Sequence, residues 1–286
     1  MRFGLKNYYR KKTLGILVLT AFLGACSTSG ISYRDIPIDR NVGSRANISS
    51  LTDAVEAAPH DPNVYNTRGI AYAKAGRLDD AIEDFNSALK INPNSYQAYA
   101  NRALAERRKG NNSKALADYN AALRIRPNYI LALNGRGNTY RDLGQYSAAL
   151  RDFNSIIRLN KGDARAYHNR GLIYQAQGLQ SAALNDFSSA IGLNSRAYSP
   201  LIARGAIYYQ RKDYKSALAD YNAALTINNR LLVAWINKGK AEEALGQISN
   251  ARKSYRGALH LDQNNTEAKA GLNRTMHTSS APLNAS

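Results

Sequence analysis

From Pro62 onward, apolar and small residues recur with a period of 34, six times, in copies starting at residues 62, 96, 130, 164, 198 and 232. With each start counted as position 1, position 4 holds Tyr65, Tyr99, Leu133, Tyr167, Leu201 and Trp235. Position 8 is small: Gly69, Ala103, Gly137, Gly171, Gly205 and Gly239. Position 11 is Tyr72, Glu106, Tyr140, Tyr174, Tyr208 and Glu242. Position 20 is alanine throughout, position 24 is always aromatic (Phe85, Tyr119, Phe153, Phe187, Tyr221, Tyr255), and position 27 is alanine or Ile156. Positions 4, 8 and 11, then 20, 24 and 27, are helical spacings, so each copy predicts two helices. Between them, position 15 is Gly76, Gly110, Gly144, Gly178 and Gly246, the residue that suits a left-handed helix end. Lys212 takes its place in the fifth copy, which predicts a turn that is strained or differently shaped. Small residues at 8, 20 and 27 let paired helices approach closely, and aromatics fill the layers between. Pro93 and Pro127 stop the second helices of the first two copies. Self-similarity at this period predicts a solenoid of stacked helix pairs.

At nearly every one of these positions the chain resembles the tetratricopeptide repeat family, over residues 62–265, about seven tenths of the length. The resemblance implies an all-α fold: a solenoid that winds antiparallel helix pairs into a right-handed superhelix. The six units are 62–95, 96–129, 130–163, 164–197, 198–231 and 232–265. Counting back 34 residues, Leu51, Ala54 and Pro59 match Phe85, Ala88 and Pro93, so 47–61 reads as a degenerate half-repeat whose lone helix, Ile48 to Ala57, caps the stack. Residues 266–275 predict a short polar capping helix, and 276–286 a disordered tail.

The first 25 residues carry a different pattern. Arg2, Lys6, Arg10, Lys11 and Lys12 precede an apolar run, Leu14 to Leu23, too short for a span of about 20 residues. Leu23-Gly24-Ala25-Cys26 is similar to the lipobox of bacterial lipoproteins, and Cys26 is the chain's only cysteine. That resemblance implies cleavage before Cys26, its acylation, and a lipid anchor; several acyl chains hold where one does not. Ser27 rather than aspartate after the cysteine favours the outer membrane, with the protein facing the periplasm. Residues 26–46, rich in Ser, Gly, Pro and charges, read as a flexible tether, with an end-to-end distance of roughly 25 Å.

The formal charge is +18; removing residues 1–25 removes five positive charges and leaves +13. Such a balance suits an anionic partner or surface. Some of it is periodic. Position 7 is Arg68, Arg102, Arg136, Arg170 and Arg204, then Lys238; position 23 is Asp84, Asp118, Asp152, Asp186 and Asp220, then Ser254. Because both change together in the sixth copy, Arg–Asp pairs joining first and second helices, or adjacent repeats, are expected; two independent solvated ladders are the alternative.

By resemblance, ligands of this family lie in a groove lined by the first helices at positions 2, 5, 6, 9, 12 and 13. Here those positions carry the cations Lys74, Arg107, Arg108, Arg141, Arg165 and Lys240, opposed by Asp142 and Glu243. They also carry Asn63, Asn66, Asn101, Asn134, Asn138, Asn169 and Asn237, with Gln97 and His168. A file of asparagines, each both donor and acceptor, can hold an extended peptide by its backbone; asparagine is also simply a tolerated polar residue there. Arg107, Arg108 and Lys109 form the densest basic cluster, which equally suits a helix C-terminus. The family's clamp for a C-terminal carboxylate is incomplete, because Ser199 and Ala203 stand where it needs basic partners.

The four histidines, His60, His168, His260 and His277, lack metal-ligand spacing, and neither a phosphate-binding glycine loop nor a nucleophile motif is present. The expectation is a non-catalytic scaffold, with no cofactor or metal, binding protein or peptide partners of the cell envelope. The alternative is a basic groove for an anionic envelope polymer or lipid, such as peptidoglycan, lipopolysaccharide or phospholipid. Nucleic acid fits the charge but conflicts with export.

Overall fold

The structure, a computed structural model, describes residues 42–277. The leader, Cys26, the tether up to residue 41 and residues 278–286 lie outside the described residues. The described residues form fourteen helices and no strand. A single helix, α1 (Arg45–Ala57), precedes six pairs: α2 (Pro62–Lys74) with α3 (Leu78–Ile91), α4 (Tyr96–Arg108) with α5 (Asn112–Ile125), and α6 (Ile130–Asp142) with α7 (Tyr146–Leu159). Then come α8 (Ala164–Ala176) with α9 (Gln180–Leu193), α10 (Tyr198–Gln210) with α11 (Tyr214–Ile227), and α12 (Leu232–Ala244) with α13 (Ile248–Leu261). A last single helix, α14 (Thr266–His277), closes the array.

Both end helices are longer than the sequence suggests. Helix α1 takes in Arg45 and Ala46, expected in the tether, because the Ser44 hydroxyl caps it by accepting from the Asn47 amide at 3.2 Å. Helix α14 runs through Met276 and His277, two residues into the expected tail.

Each turn between paired helices has one geometry. The position-15 glycines have φ between 71° and 85°, and the amide of position 16 donates back to the carbonyl of position 11 at 2.8–2.9 Å in all six repeats. This is the Schellman closure, which needs a left-handed residue. Lys212 adopts it too, at φ 63°, and the Asp213 amide still reaches Tyr208 at 2.9 Å. The fifth turn therefore keeps its shape and carries the strain of a side chain in the left-handed region. Second helices end on a different device. Asn92, Asn160, Asn194, Asn228 and Asp262 each accept, through the side chain, the amide two residues on. That turn stops the helix whether or not a proline follows.

The core is a column of position-24 aromatics, each at most 1% exposed, set against the fully buried position-20 alanines. Position 8 has no room for more than hydrogen in most repeats: a Cβ on Gly171 would lie 2.7 Å from the Phe187 ring, and one on Gly69 would lie 2.7 Å from Phe85. Positions 3 and 10, from Val64 and Ala71 to Ala234 and Ala241, are buried as well. Their mixed residue types hid them from the periodic reading.

Candidate functional site

Each first helix packs on the next first helix, α2 on α4 through α12 on α14, whereas no second helix packs on another second helix. The first helices therefore line the inside of the curve, and their side chains form a groove along it.

Behind that groove runs a ladder of ion pairs. Arg68, Arg102, Arg136, Arg170 and Arg204 each grip the aspartate at position 23 of their own repeat with two hydrogen bonds of 2.7–2.9 Å. Hydrogen bonds to the carboxylate, opposed by burial, hold the Arg68, Arg102, Arg170 and Arg204 guanidiniums above their ordinary range. The remaining Nη1 reaches back to position 25 of the preceding repeat: to Asn86, Asn120, Asn154 and Ser188 at 2.6–2.9 Å, and to Thr52 of α1 at 3.5 Å. One guanidinium thus joins three helices. These five arginines and five aspartates are held by one another and stand behind the groove's contact surface.

Inside the groove the asparagines bond to one another across neighbouring first helices. Asn101 Nδ2 donates to Asn66 Oδ1 at 3.0 Å, and Asn169 Nδ2 to Asn134 Oδ1 at 3.2 Å. Asn138 donates to the Asn134 carbonyl at 2.9 Å. Arg141 donates to Asn169 Oδ1 at 3.2 Å and to Asp142 at 3.0 Å, and Arg107 reaches the same Asp142 at 3.0 Å. A single network therefore spans the second, third and fourth repeats. The Asn66–Asn101 pair stands apart from it, and among the described residues one amide end of each of Asn66, Asn101, Asn134 and Asn138 has no bond, donors and acceptors both represented.

The cations are less free than a bare basic strip would be. Arg107 and Arg141 share Asp142, Lys240 meets Glu267, and Arg108 donates to the Ala73 carbonyl at 3.1 Å. Arg165, 81% exposed, stands 4.0 Å from Asp163, and Lys74 is exposed without a carboxylate partner among the described residues. Asn63 serves the start of α2, bonding through Nδ2 to the capping Asp61 at 2.9 Å. Asn237 is half-buried on α12.

At the groove's centre lies a cavity of about 410 Å³, lined by Leu104, Arg107, Tyr119, Leu131, Asn134, Gly135, Asn138 and Arg165 among others. Gly135 makes it. Any Cβ there would occupy the space of the Tyr119 ring and hydroxyl. The same arrangement recurs at the far end, where Tyr255 faces Gly271 at the equivalent place on the next first helix. Burial, opposed by Arg107, pushes the Tyr119 phenol up to about 12, so it is a neutral hydroxyl. Beside the cavity, Arg107 Nε is buried without a partner. His168 Nδ1 is too, with its ring 5.7 Å from Phe187. Burial first, and Arg141 second, lowers His168 to about 4, so it is a neutral contact. The sequence reading missed Tyr119, Gly135, Leu104 and Leu131. The signal was a glycine at position 6 where the other repeats have Thr67, Asn101, Asn169, Ala203 and Asn237.

Family models described as Tetratricopeptide repeat match residues 48–96, 66–130 and 170–230, and another matches 232–265; a TPR repeat model matches 137–178. The chain belongs to the tetratricopeptide repeat family. Among solved tetratricopeptide folds it is similar to a chain of the APC/C hetero-tetramer Cut9-Hcn1, with a TM-score of 0.70 at 18% identity, covering 82% of this chain and 47% of that one. Pseudomonas aeruginosa PilF aligns with a TM-score of 0.66 at 18% identity, covering 79% and 99%. A tetratricopeptide repeat protein of Parabacteroides merdae aligns at 0.62 and 24%, covering 81% and 91%. No curated protein sequence matches. These likenesses establish the fold, and tetratricopeptide membership supports a protein-interaction scaffold. Among the described residues no cluster of His, Cys, Asp and Glu could hold a metal ion, and no helix is long and apolar enough to cross a membrane.

Proposed function

We propose that this protein is a non-catalytic adaptor, lipid-anchored through Cys26 to the outer membrane and facing the periplasm, that holds an extended segment of an envelope protein in its groove. The observation that carries the reading is the asparagine network beside the Gly135 cavity. Its unused amide ends on α6, with those of the separate Asn66–Asn101 pair on α2 and α4, lie fixed on consecutive first helices, ready for the alternating N–H and C=O of a peptide backbone. The apolar rim, with Leu131 45% exposed, offers a seat for one side chain of that segment. The LGAC sequence and the basic leader support the anchor. An anionic polymer in the groove is the weaker alternative, because Arg107, Arg141 and Lys240 are already paired with Asp142 and Glu267, which offset two of their three charges.

The test is capture from solubilised envelope by the lipidated protein, beside Leu131→Arg and Cys26→Ser variants. Partners should persist in high salt, vanish with Leu131→Arg, and survive solubilisation with Cys26→Ser while that variant leaves the membrane fraction. Partners indifferent to Leu131→Arg would remove the groove from the account, and release by salt alone would favour the polymer.

A further inference from the structure

A second cavity, about 670 Å³, opens on the opposite side of the array, between the second and third repeats. Its walls come from α5 and α7, and its floor from α6. Asn120, Leu123, Arg124 and Pro127 lie on one side; Arg151, Asp152 and Ser155 lie on the other; Leu133, Arg136 and Tyr140 form the floor.

Repeat-to-repeat comparison explains why it exists here. In the first and fourth repeats the position-7 arginine lies between two tyrosine rings. Arg68 is 5.9 Å from Tyr65 and 5.7 Å from Tyr72; Arg170 is 5.5 Å from Tyr167 and 5.8 Å from Tyr174. In the third repeat one ring of this sandwich is missing. Tyr140 remains, 6.0 Å from Arg136, but position 4 is Leu133. The shorter side chain leaves a notch. Leu201 makes the same replacement in the fifth repeat, where the flanking positions are Gly192 and Ala219. At the notch between the second and third repeats those positions are Arg124 and Arg151. Truncation and two cations therefore coincide at this one junction.

The charges at the notch are unbalanced. Arg136 is committed to Asp152 and Asn120, whereas Arg124 and Arg151 are exposed and have no carboxylate partner among the described residues. Three arginines face one aspartate, a net of two positive charges around the cavity. Asn120 uses its oxygen on Arg136, which turns its Nδ2 into an additional donor. The apolar part of the lining is Leu133 on the floor with Leu123 and Pro127 on one wall.

We propose that this notch is a binding site for a phosphate monoester, whose dianion sits between Arg124 and Arg151 and whose organic body lies on Leu133 and Pro127. Guanidinium forks match phosphate oxygens two at a time, and the net charge of the lining matches a dianion. The site is independent of the groove reading, since it lies across the second helices.

The experiment titrates the full chain in detergent with glycerol phosphate and with monomeric short-chain phosphatidic acid, followed by phosphorus NMR. Two variants separate a built site from general basicity. Leu133→Tyr restores the residue of the sister repeats and fills the notch with charge unchanged; Arg124→Gln/Arg151→Gln removes the charge with the notch open. Each should weaken binding at least about tenfold while the helical circular-dichroism melt is retained. Binding of the soluble ester alone points to a soluble phosphate ester, and binding of the lipid alone or of both to a membrane source; all three support the site. No binding by the unaltered chain, or binding that survives Leu133→Tyr, overturns it.

Discussion

The middle of the array and its C-terminal end solve the same problem with different residues. In the middle, Arg136 is gripped by Asp152 from the second helix and also holds Asn120 of the preceding repeat. At the end, Lys238 takes the arginine's place, and the carboxylate has crossed to the first helix as Glu242, 3.8 Å away. Ser254, where an aspartate would stand, donates to that carboxylate at 2.6 Å. The cation, the carboxylate and the second-helix partner are all kept, but the planar fork is lost. Burial pushes the Glu242 carboxyl above its ordinary value despite Ser254 and Lys238, so the substitute site solvates its charge incompletely. No hydrogen bond joins Lys238 to Asn222, so the junction of the fifth and sixth repeats lacks the backward link. A glycine turn is also missing near this end, at Lys212.

The largest test of this contrast removes the second-helix partner from each site. Asp152→Ala strands a mostly buried guanidinium and should cost about 3–5 kcal/mol, whereas Ser254→Ala should cost about 1 kcal/mol. Urea unfolding followed by circular dichroism measures both, and equal losses would erase the distinction between the two regions. Next in size is a pH effect confined to the middle. The unfolded chain takes up a proton on His168 near pH 6.5, the folded chain only near 4, so stability falls as pH drops through that window. The loss between about pH 7.5 and about pH 5.5 should be about 1.4 kcal/mol, and His168→Phe should abolish it. An unchanged pH slope in His168→Phe would show that the histidine is freely protonated in the fold. Smallest is Lys212→Gly, which should raise stability by about 0.5–1 kcal/mol by relieving the left-handed residue. A lower melting temperature in that variant would mean that Lys212 makes a compensating contact.

What could be read from the chain follows from what repeats. Packing at positions 8, 20 and 24 is imposed identically six times, so period and helix boundaries stand out, as does the joint change at Lys238 and Ser254. Contacts between unlike positions do not stand out. Asn66 and Asn101 are 35 residues apart, at positions 5 and 6, so their bond is invisible when like positions are compared. A mismatch of positions, 24 against 6, likewise hid the pairing of Tyr119 with Gly135, since the ring and the space it needs belong to different copies. The groove cations were legible as charges but not as paired ones, because Arg107 and Arg141 meet over Asp142 only when the helices stack.

The backward reach of the arginines gives the array a direction. Asn86 receives its bond from Arg102, which is synthesised sixteen residues later, and Asn120 and Asn154 wait in the same way for Arg136 and Arg170. As the chain leaves the ribosome, each of the first four repeats is fastened by the arrival of its successor. A protein shortened after any of the first four repeats would therefore expose one unfastened asparagine or serine at the cut.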